Sequence, residues 1–131
     1  ANNYGFLSLL HRSDVVIDTF HFGSGTTAYY IFSADAPAVT LPGATTGGRV
    51  LNAVYKRMDI TDLIASDKEQ YVQLAIKAAN DKEFNQEIRS KIAERKNKIF
   101  NNDSVVEEMA EFIKNSADDP EYYKKHIELF S

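Results

Sequence analysis

The stretch with most potential for chemistry runs Val15-Val16-Ile17-Asp18, then Gly23-Ser24-Gly25-Thr26-Thr27, then Tyr29-Tyr30-Ile31-Phe32. An apolar run leads into a small, hydroxyl-bearing corner, and the corner leads straight into an apolar segment of helical period. A helix start presents unpaired N–H groups and a partial positive charge, so it binds an anion without needing a cation. Gly23 and Gly25 remove the Cβ atoms that would hold a phosphate away, and Ser24, Thr26 and Thr27 add hydroxyl donors. No lysine follows the glycines, so the corner is not the loop of a nucleotide triphosphatase. The third glycine of the dinucleotide fingerprint is also missing. A capped turn with Thr26 as N-cap accounts for the same residues, so a turn and an anion site both stand open.

A second small-residue corner, Leu41-Pro42-Gly43-Ala44-Thr45-Thr46-Gly47-Gly48-Arg49, also follows an apolar run and precedes a helical one. In open α/β sheets, ligands gather at the carboxyl ends of strands, where both corners belong. Arg49 in the first turn of a helix opposes the dipole, which favours a specific partner, a carboxylate or a ligand phosphate. A solvated or salt-bridged arginine is the other reading. His11, His21 and His126 have no metal-ligand spacing, and no Ser/His/Asp or paired-carboxylate arrangement stands out. The basic residues Arg89, Lys91, Arg95, Lys96 and Lys98 alternate with Glu87 and Glu94 and read as a solvated helix face.

The elements that must position the corners follow from periodicity. Residues 4–12 predict a short helix, 14–20 a strand, and 26–34 a helix ended by Asp35-Ala36-Pro37. Residues 38–41 predict a second buried strand stopped by Pro42-Gly43, and 48–58 a further helix. With so short a crossover, the two strands form a right-handed parallel βαβ unit. Beyond Asp59 the pattern is helical. Tyr71, Ala75 and Ala78 mark one helix, and Phe84, Ile88, Ile92 and Ile99 a second, interrupted near Asn101-Asn102. Val105, Met109 and Phe112 mark a third, capped by Asp103 or Ser104. A last helix carries Pro120 in its first turn, then Tyr123, Ile127 and Phe130. Two strands alone leave two open sheet edges, so either the chain is part of a larger sheet or a second copy completes it as a homodimer.

The 131 residues suit one domain, and 44% hydrophobic with 26% charged residues is an ordinary globular balance. A net charge of −4 argues against a general polyanion binder, so no nucleic acid is expected. Without cysteine there is neither a disulfide framework nor a thiolate metal site. No uninterrupted apolar stretch is long enough for a membrane span. The chain starts Ala1-Asn2-Asn3 without an initiator methionine or a signal peptide's basic start and apolar core, which leads to the expectation of a piece of a longer protein.

Read in order, S-D-V-V-I-D-T-F, G-S-G-T-T and P-A-V-T-L-P-G-A-T-T-G-G-R-V, with the later D-L-I-A-S-D-K-E-Q-Y-V-Q-L-A, resemble the C-terminal catalytic lobe of O-GlcNAc-transferase-like glycosyltransferases. That group contains the O-GlcNAc transferases, the SPINDLY fucosyltransferases and bacterial relatives, and the resemblance covers residues 12–115. It implies an α/β fold, a partial Rossmann-like C-terminal lobe of GT-B architecture. Residues 1–66 would be a partial nucleotide-sugar-binding segment and 67–131 the helical segment of the same lobe. It further implies an inverting, metal-independent transferase with no cofactor, whose substrate is a UDP- or GDP-linked sugar and whose acceptor is a protein or glycan. Gly25, Thr26 and Thr27 would hold the diphosphate, with Ser24 and Arg49 assisting. Within that group, O-GlcNAc transferases place a histidine where Gly25 stands here and an acidic, ribose-contacting residue where Tyr30 stands. No catalytic base is identified, and the segment alone is expected to be inactive. A degenerate lobe serving binding or scaffolding is the alternative. A cytoplasmic location follows from the same resemblance and from the lack of an export signal.

Overall fold

Ala28, Ile31 and Phe32, three side chains on one stripe of the segment after the first corner, are fully buried, and the rest of the fold is arranged around them. The computed structural model describes residues 3–100, 103–119 and 121–122, and the chain divides into two compact units, 1–100 and 101–131. In the first unit the order is α1 (Asn3–Arg12), β1 (Val16–Ile17), α2 (Thr26–Ser33), β2 (Ala38–Val39), a 3-10 turn (Gly47–Arg49), α3 (Val50–Arg57), α4 (Lys68–Asn80), α5 (Lys82–Arg95) and α6 (Asn97–Phe100). The second unit contains α7 (Asp103–Asp118), and within it the Phe112 ring lies 6.2 Å from that of Tyr122. The helix predicted from Pro120, with Tyr123, Ile127 and Phe130, lies outside the described residues, as does His126.

β1 and β2 pair in parallel, Val16 with Ala38 and Ile17 with Val39, as a βαβ crossover requires. Both strands are shorter than the seven- and four-residue runs predicted, because the chain leaves the ladder at buried Asp18 and at Thr40. The expectation of two open sheet edges is corrected on the β2 side. Thr40 forms a parallel bridge with Ile64, donating to Leu63 O at 3.0 Å and accepting from Ala65 N at 2.8 Å. The Ala38 N–H on that edge donates to the Tyr55 hydroxyl of α3 at 2.9 Å. Among the described residues, β1 alone keeps a side without a strand. The segment around Ile64 escapes sequence reading because a single bridge has no alternating pattern.

Tyr55 is fully buried, its ring edge-on to Phe32 with centroids 4.8 Å apart. Burial pushes its phenol pKa up, so the oxygen stays a neutral acceptor for Ala38. Tyr55→Phe leaves that N–H buried without a partner and is expected to cost about 1–3 kcal/mol. A urea denaturation midpoint unchanged from wild type would disprove the assignment.

α4 and α5 begin on side-chain caps. Asp67 accepts from Gln70 N at 2.8 Å while Gln70 Oε1 accepts from Ser66 N at 2.6 Å, and Asp81 accepts from Phe84 N at 3.0 Å. The Gln70 amide, followed by the Ser66 hydroxyl, holds the Asp67 carboxyl below its ordinary value. The basic run on α5 and α6 is not a solvated face, which corrects the prediction. Arg89 donates to Ser13 O at 2.5 Å and to Asp35 O at 3.3 Å, and Arg95 donates to Asp59 O at 2.7 Å. Lys91 pairs with Asp62 at 2.8 Å and with Glu87 at 2.7 Å, Lys96 pairs with Asp35 at 2.8 Å, and Lys98 pairs with Asp59. Asp35 and Asp59 have positive φ, 52° and 55°, where each chain segment leaves a helix. Long cations on α5, at its C-cap Lys96 and on α6 reach these turns, so the run fastens the helical layer to the α/β layer.

Candidate functional site

Because the strands are parallel, both corners leave the same end of the sheet, where one hydrogen bond joins them and another closes the second corner on itself. Gly23 N–H donates to Gly47 O at 3.1 Å, and Gly43 N–H donates to Gly48 O at 3.0 Å. The Phe22 ring lies against Gly47, where a Cβ would come within 3.1 Å of it. His21 and Phe22 are exposed at this end.

Beneath the first corner sits Asp18, only 5% exposed. Its Oδ1 accepts from Ser24 N at 2.8 Å and from Ser24 Oγ at 3.0 Å, and its Oδ2 accepts from Thr40 Oγ1 at 2.8 Å. Its main-chain oxygen accepts from the Tyr71 hydroxyl of α4 at 2.6 Å. Burial, and then the Asp18 charge, push the Tyr71 phenol pKa up, which keeps it a donor at neutral pH.

The two glycines of the corner have different reasons to be glycine. A Cβ on Gly23 would stand 2.9 Å from Asp18 Oδ2, so Gly23 is required by the packing of the corner on Asp18. A Cβ on Gly25 would meet nothing within 4 Å. Gly25 is the N-cap of α2 and no side chain caps the helix, so the reading of Thr26 as N-cap is corrected. The nearest hydroxyl upstream, that of Ser24, is already bonded to Asp18. Thr26 and Thr27 are exposed at the uncapped start of α2, with their first-turn amides outside the intrahelical ladder. Gly25, Thr26 and Thr27 therefore form an open donor face, whereas both donors of Ser24 point inward.

Arg49 has found partners of a third kind. Its Nε donates to Gly43 O at 2.7 Å and an Nη to Ala44 O at 3.0 Å, so it binds carbonyls of its own corner rather than a carboxylate. It also belongs to a 3-10 turn and stands as N-cap of α3 instead of within the first α-helical turn.

Tyr30 lies along the outer side of α2, its ring edge-on to Phe6 at 6.1 Å, and Tyr29 is likewise edge-on to Phe100 at 6.0 Å. Thr26, Tyr29, Tyr30, Ser33 and Phe100 line a cleft of about 300 Å³ that begins at the helix start. Among the described residues, no group of three His, Asp or Glu side chains is placed to hold a metal ion. Sequence reading missed Asp18 and this cleft. The signal for Asp18 was an acid ending an apolar strand, and the signal for the cleft was the i, i+3, i+4, i+7 spacing of Thr26, Tyr29, Tyr30 and Ser33.

Comparison with known proteins bears on the family and the fold. The chain resembles the probable UDP-N-acetylglucosamine–peptide N-acetylglucosaminyltransferase SPINDLY of Petunia hybrida, with 28% identity over 79 residues, 60% of this chain and 8% of that protein. The protein of the same name from Hordeum vulgare is 25% identical over 92 residues, 70% of this chain and 10% of its own length. The chain thus spans about a tenth or less of the curated relatives it matches. A mutant O-GlcNAc transferase of Thermobaculum terrenum superimposes with a TM-score of 0.76 at 21% identity, over 85% of this chain and 22% of that one. That likeness is one of fold, and it makes the short parallel sheet with its helices part of a GT-B α/β lobe. The model of glycosyl transferase family 41 matches residues 10–109, from the end of α1 through both corners and into α7, and on that match the chain belongs to glycosyl transferase family 41.

Proposed function

We propose that this chain is the donor-binding part of a glycosyltransferase that moves a sugar from a UDP- or GDP-linked donor to a protein or glycan acceptor. The observation that carries this reading is the open, uncapped start of α2 at Gly25-Thr26-Thr27, set at the strand ends within the segment that matches the family. The first-turn amides and the two threonine hydroxyls bind the donor diphosphate, and the helix dipole stabilises the charge that grows on the leaving group. The reaction inverts the anomeric centre and needs no divalent ion, as the family resemblance implies. Ser24 acts from beneath through Asp18, and Arg49 fixes the second corner alongside. The 131 residues alone transfer no sugar, because the acceptor side and the general base come from other parts of the protein. The complete enzyme works in the cytoplasm, and self-association through the sheet uses the β1 edge.

The test is calorimetric titration of the full-length protein with UDP-, GDP- and dTDP-sugars. Binding of a UDP- or GDP-sugar is expected, weakened about tenfold by Thr26→Ala through loss of one charge-assisted hydrogen bond. Binding of none of the three would instead establish the second reading, a degenerate scaffolding lobe. That reading is favoured by Tyr30, whose phenol ring meets Phe6 edge-on and stands where O-GlcNAc transferases are expected to place a ribose-contacting carboxylate.

A further inference from the structure

We propose that Asp18 is the positioning residue of the donor site. On this proposal, which rests on the diphosphate reading above, its buried carboxylate holds the Ser24 turn so that α2 begins where the phosphates need it. Asp18 ties the corner to β2 and to α4. Its N–H donates to Val39 O at 3.0 Å, its main-chain oxygen accepts from Tyr71 of α4, and its carboxylate joins Ser24 to Thr40. No salt bridge reaches this carboxylate among the described residues. Its charge is offset by three dipolar donors, one N–H and two hydroxyls. A buried carboxylate is costly unless its hydrogen bonds are made, so a site that keeps one binds those donors tightly in one arrangement.

The arrangement fixes the anion site from behind. Ser24 immediately precedes the N-cap Gly25, and both of its donors are drawn inward to Oδ1. Gly23 can lie against Oδ2 only because it lacks a Cβ, which would stand 2.9 Å from that oxygen. Gly23 and Ser24, the two residues before the N-cap, are thus held against a side chain that is itself bonded to Thr40, while the Asp18 main chain is bonded to Val39 and to Tyr71 of α4. An oxyanion is held well only by donors that do not have to be reorganised when it arrives. α2 has no side-chain cap of its own, so Asp18 supplies the rigidity that a cap would.

The test uses the full-length protein with UDP and GDP as probes, measuring Kd by calorimetry and stability by thermal melting. Asp18→Ala frees Ser24 and is expected to raise Kd about tenfold or more. Asp18→Asn keeps an oxygen for Ser24 and offers an N–H to the Thr40 hydroxyl, so it is expected to stay within about threefold of wild type. Thr40→Val unpins Oδ2 without touching α2 and is expected to weaken binding about threefold. It also keeps the test decisive if Asp18→Ala does not fold. Ile88→Val, a buried change on α5, controls for lost stability and should leave Kd unchanged. Unchanged Kd in both Asp18→Ala and Thr40→Val would overturn the proposal while leaving the donor site intact. An equal loss in Ile88→Val at a matched melting temperature would also overturn it, by reducing Asp18 to a structural residue. If the wild type binds neither probe, the diphosphate reading itself fails and takes this proposal with it.

Discussion

Gly25→Asp is expected to make the protein slightly more stable and to reduce donor affinity at least 100-fold. Gly25 is the N-cap of α2, its φ is −73°, and a Cβ built on it meets no atom within 4 Å. There is room for a side chain there, and once ψ moves from −109° toward the extended values of an ordinary N-cap, an aspartate can bond to a first-turn amide that no side chain now caps. Replacing glycine at an N-cap in this way gains a few tenths of a kcal/mol, roughly, with a further small gain from a negative charge at the positive end of the helix. The same carboxylate occupies the place proposed for the diphosphate. Two like charges about 4 Å apart at an effective dielectric near 20 repel by about 4 kcal/mol, more than the roughly 2.7 kcal/mol that a 100-fold loss requires. Gly25→Asn separates the two effects, because asparagine caps without the charge and should retain more of the affinity. Melting curves and calorimetric titration of the three proteins check the pair of opposite signs. An aspartate variant that binds the donor as wild type does would place the diphosphate elsewhere.

Phe32→Ala is expected to give the largest loss of stability, about 3–5 kcal/mol, against the roughly 5–15 kcal/mol that holds most domains folded. Phe32 is fully buried at the C-terminal half of α2 and meets Tyr55 edge-on at 4.8 Å. Truncation removes the apolar surface, the ring contact and the support under α3 together. α2 has only eight residues, too few to persist as a helix by itself, so it depends on the inner stripe of Ala28, Ile31 and Phe32. Loosening that stripe should reach the helix start, and amide exchange in residues 26–33 should rise more than in α4. Phe32→Leu, which keeps most of the volume, should lose markedly less. The measurement is a denaturant midpoint for each variant, and equal midpoints for Ala and wild type would contradict the role given to this ring.

The family and its fold were legible in the sequence because they are carried by local order: an apolar strand, a glycine-rich corner, a hydroxylated helix start, then a second corner at fixed spacing. Residues 12–115 showed the resemblance, and the family model matches 10–109. The helical character after Asp59 was legible for the same reason, since the stripe of buried Tyr71, Ala78, Ile88 and Ile92 depends on neighbouring residues, but the break at Lys96 that separates α5 from α6 was not, and Ile99 falls beyond it. The roles of charged side chains were not. Arg49 looked poised for a phosphate, yet its guanidinium is bonded to Gly43 and Ala44 carbonyls. Arg89, Lys96 and Lys98 looked solvated, yet their partners lie more than thirty residues away, at Ser13, Asp35 and Asp59.

The sequence by itself determined which backbone conformations were available: where α2 could begin, that the corner before it would be small and flexible, and that two strands would run parallel across a short crossover. Those outcomes depend on dihedral preference and side-chain period, which are set within a few residues. The tertiary structure decided which donors at that corner are free. Ser24 carries the same kind of hydroxyl as Thr26 and Thr27, but Asp18, held by Thr40 and Tyr71 from distant parts of the chain, draws it inward and leaves the threonines open. Hydrogen-bond donors and acceptors are paired through space, and a sequence order cannot say which partner arrives first.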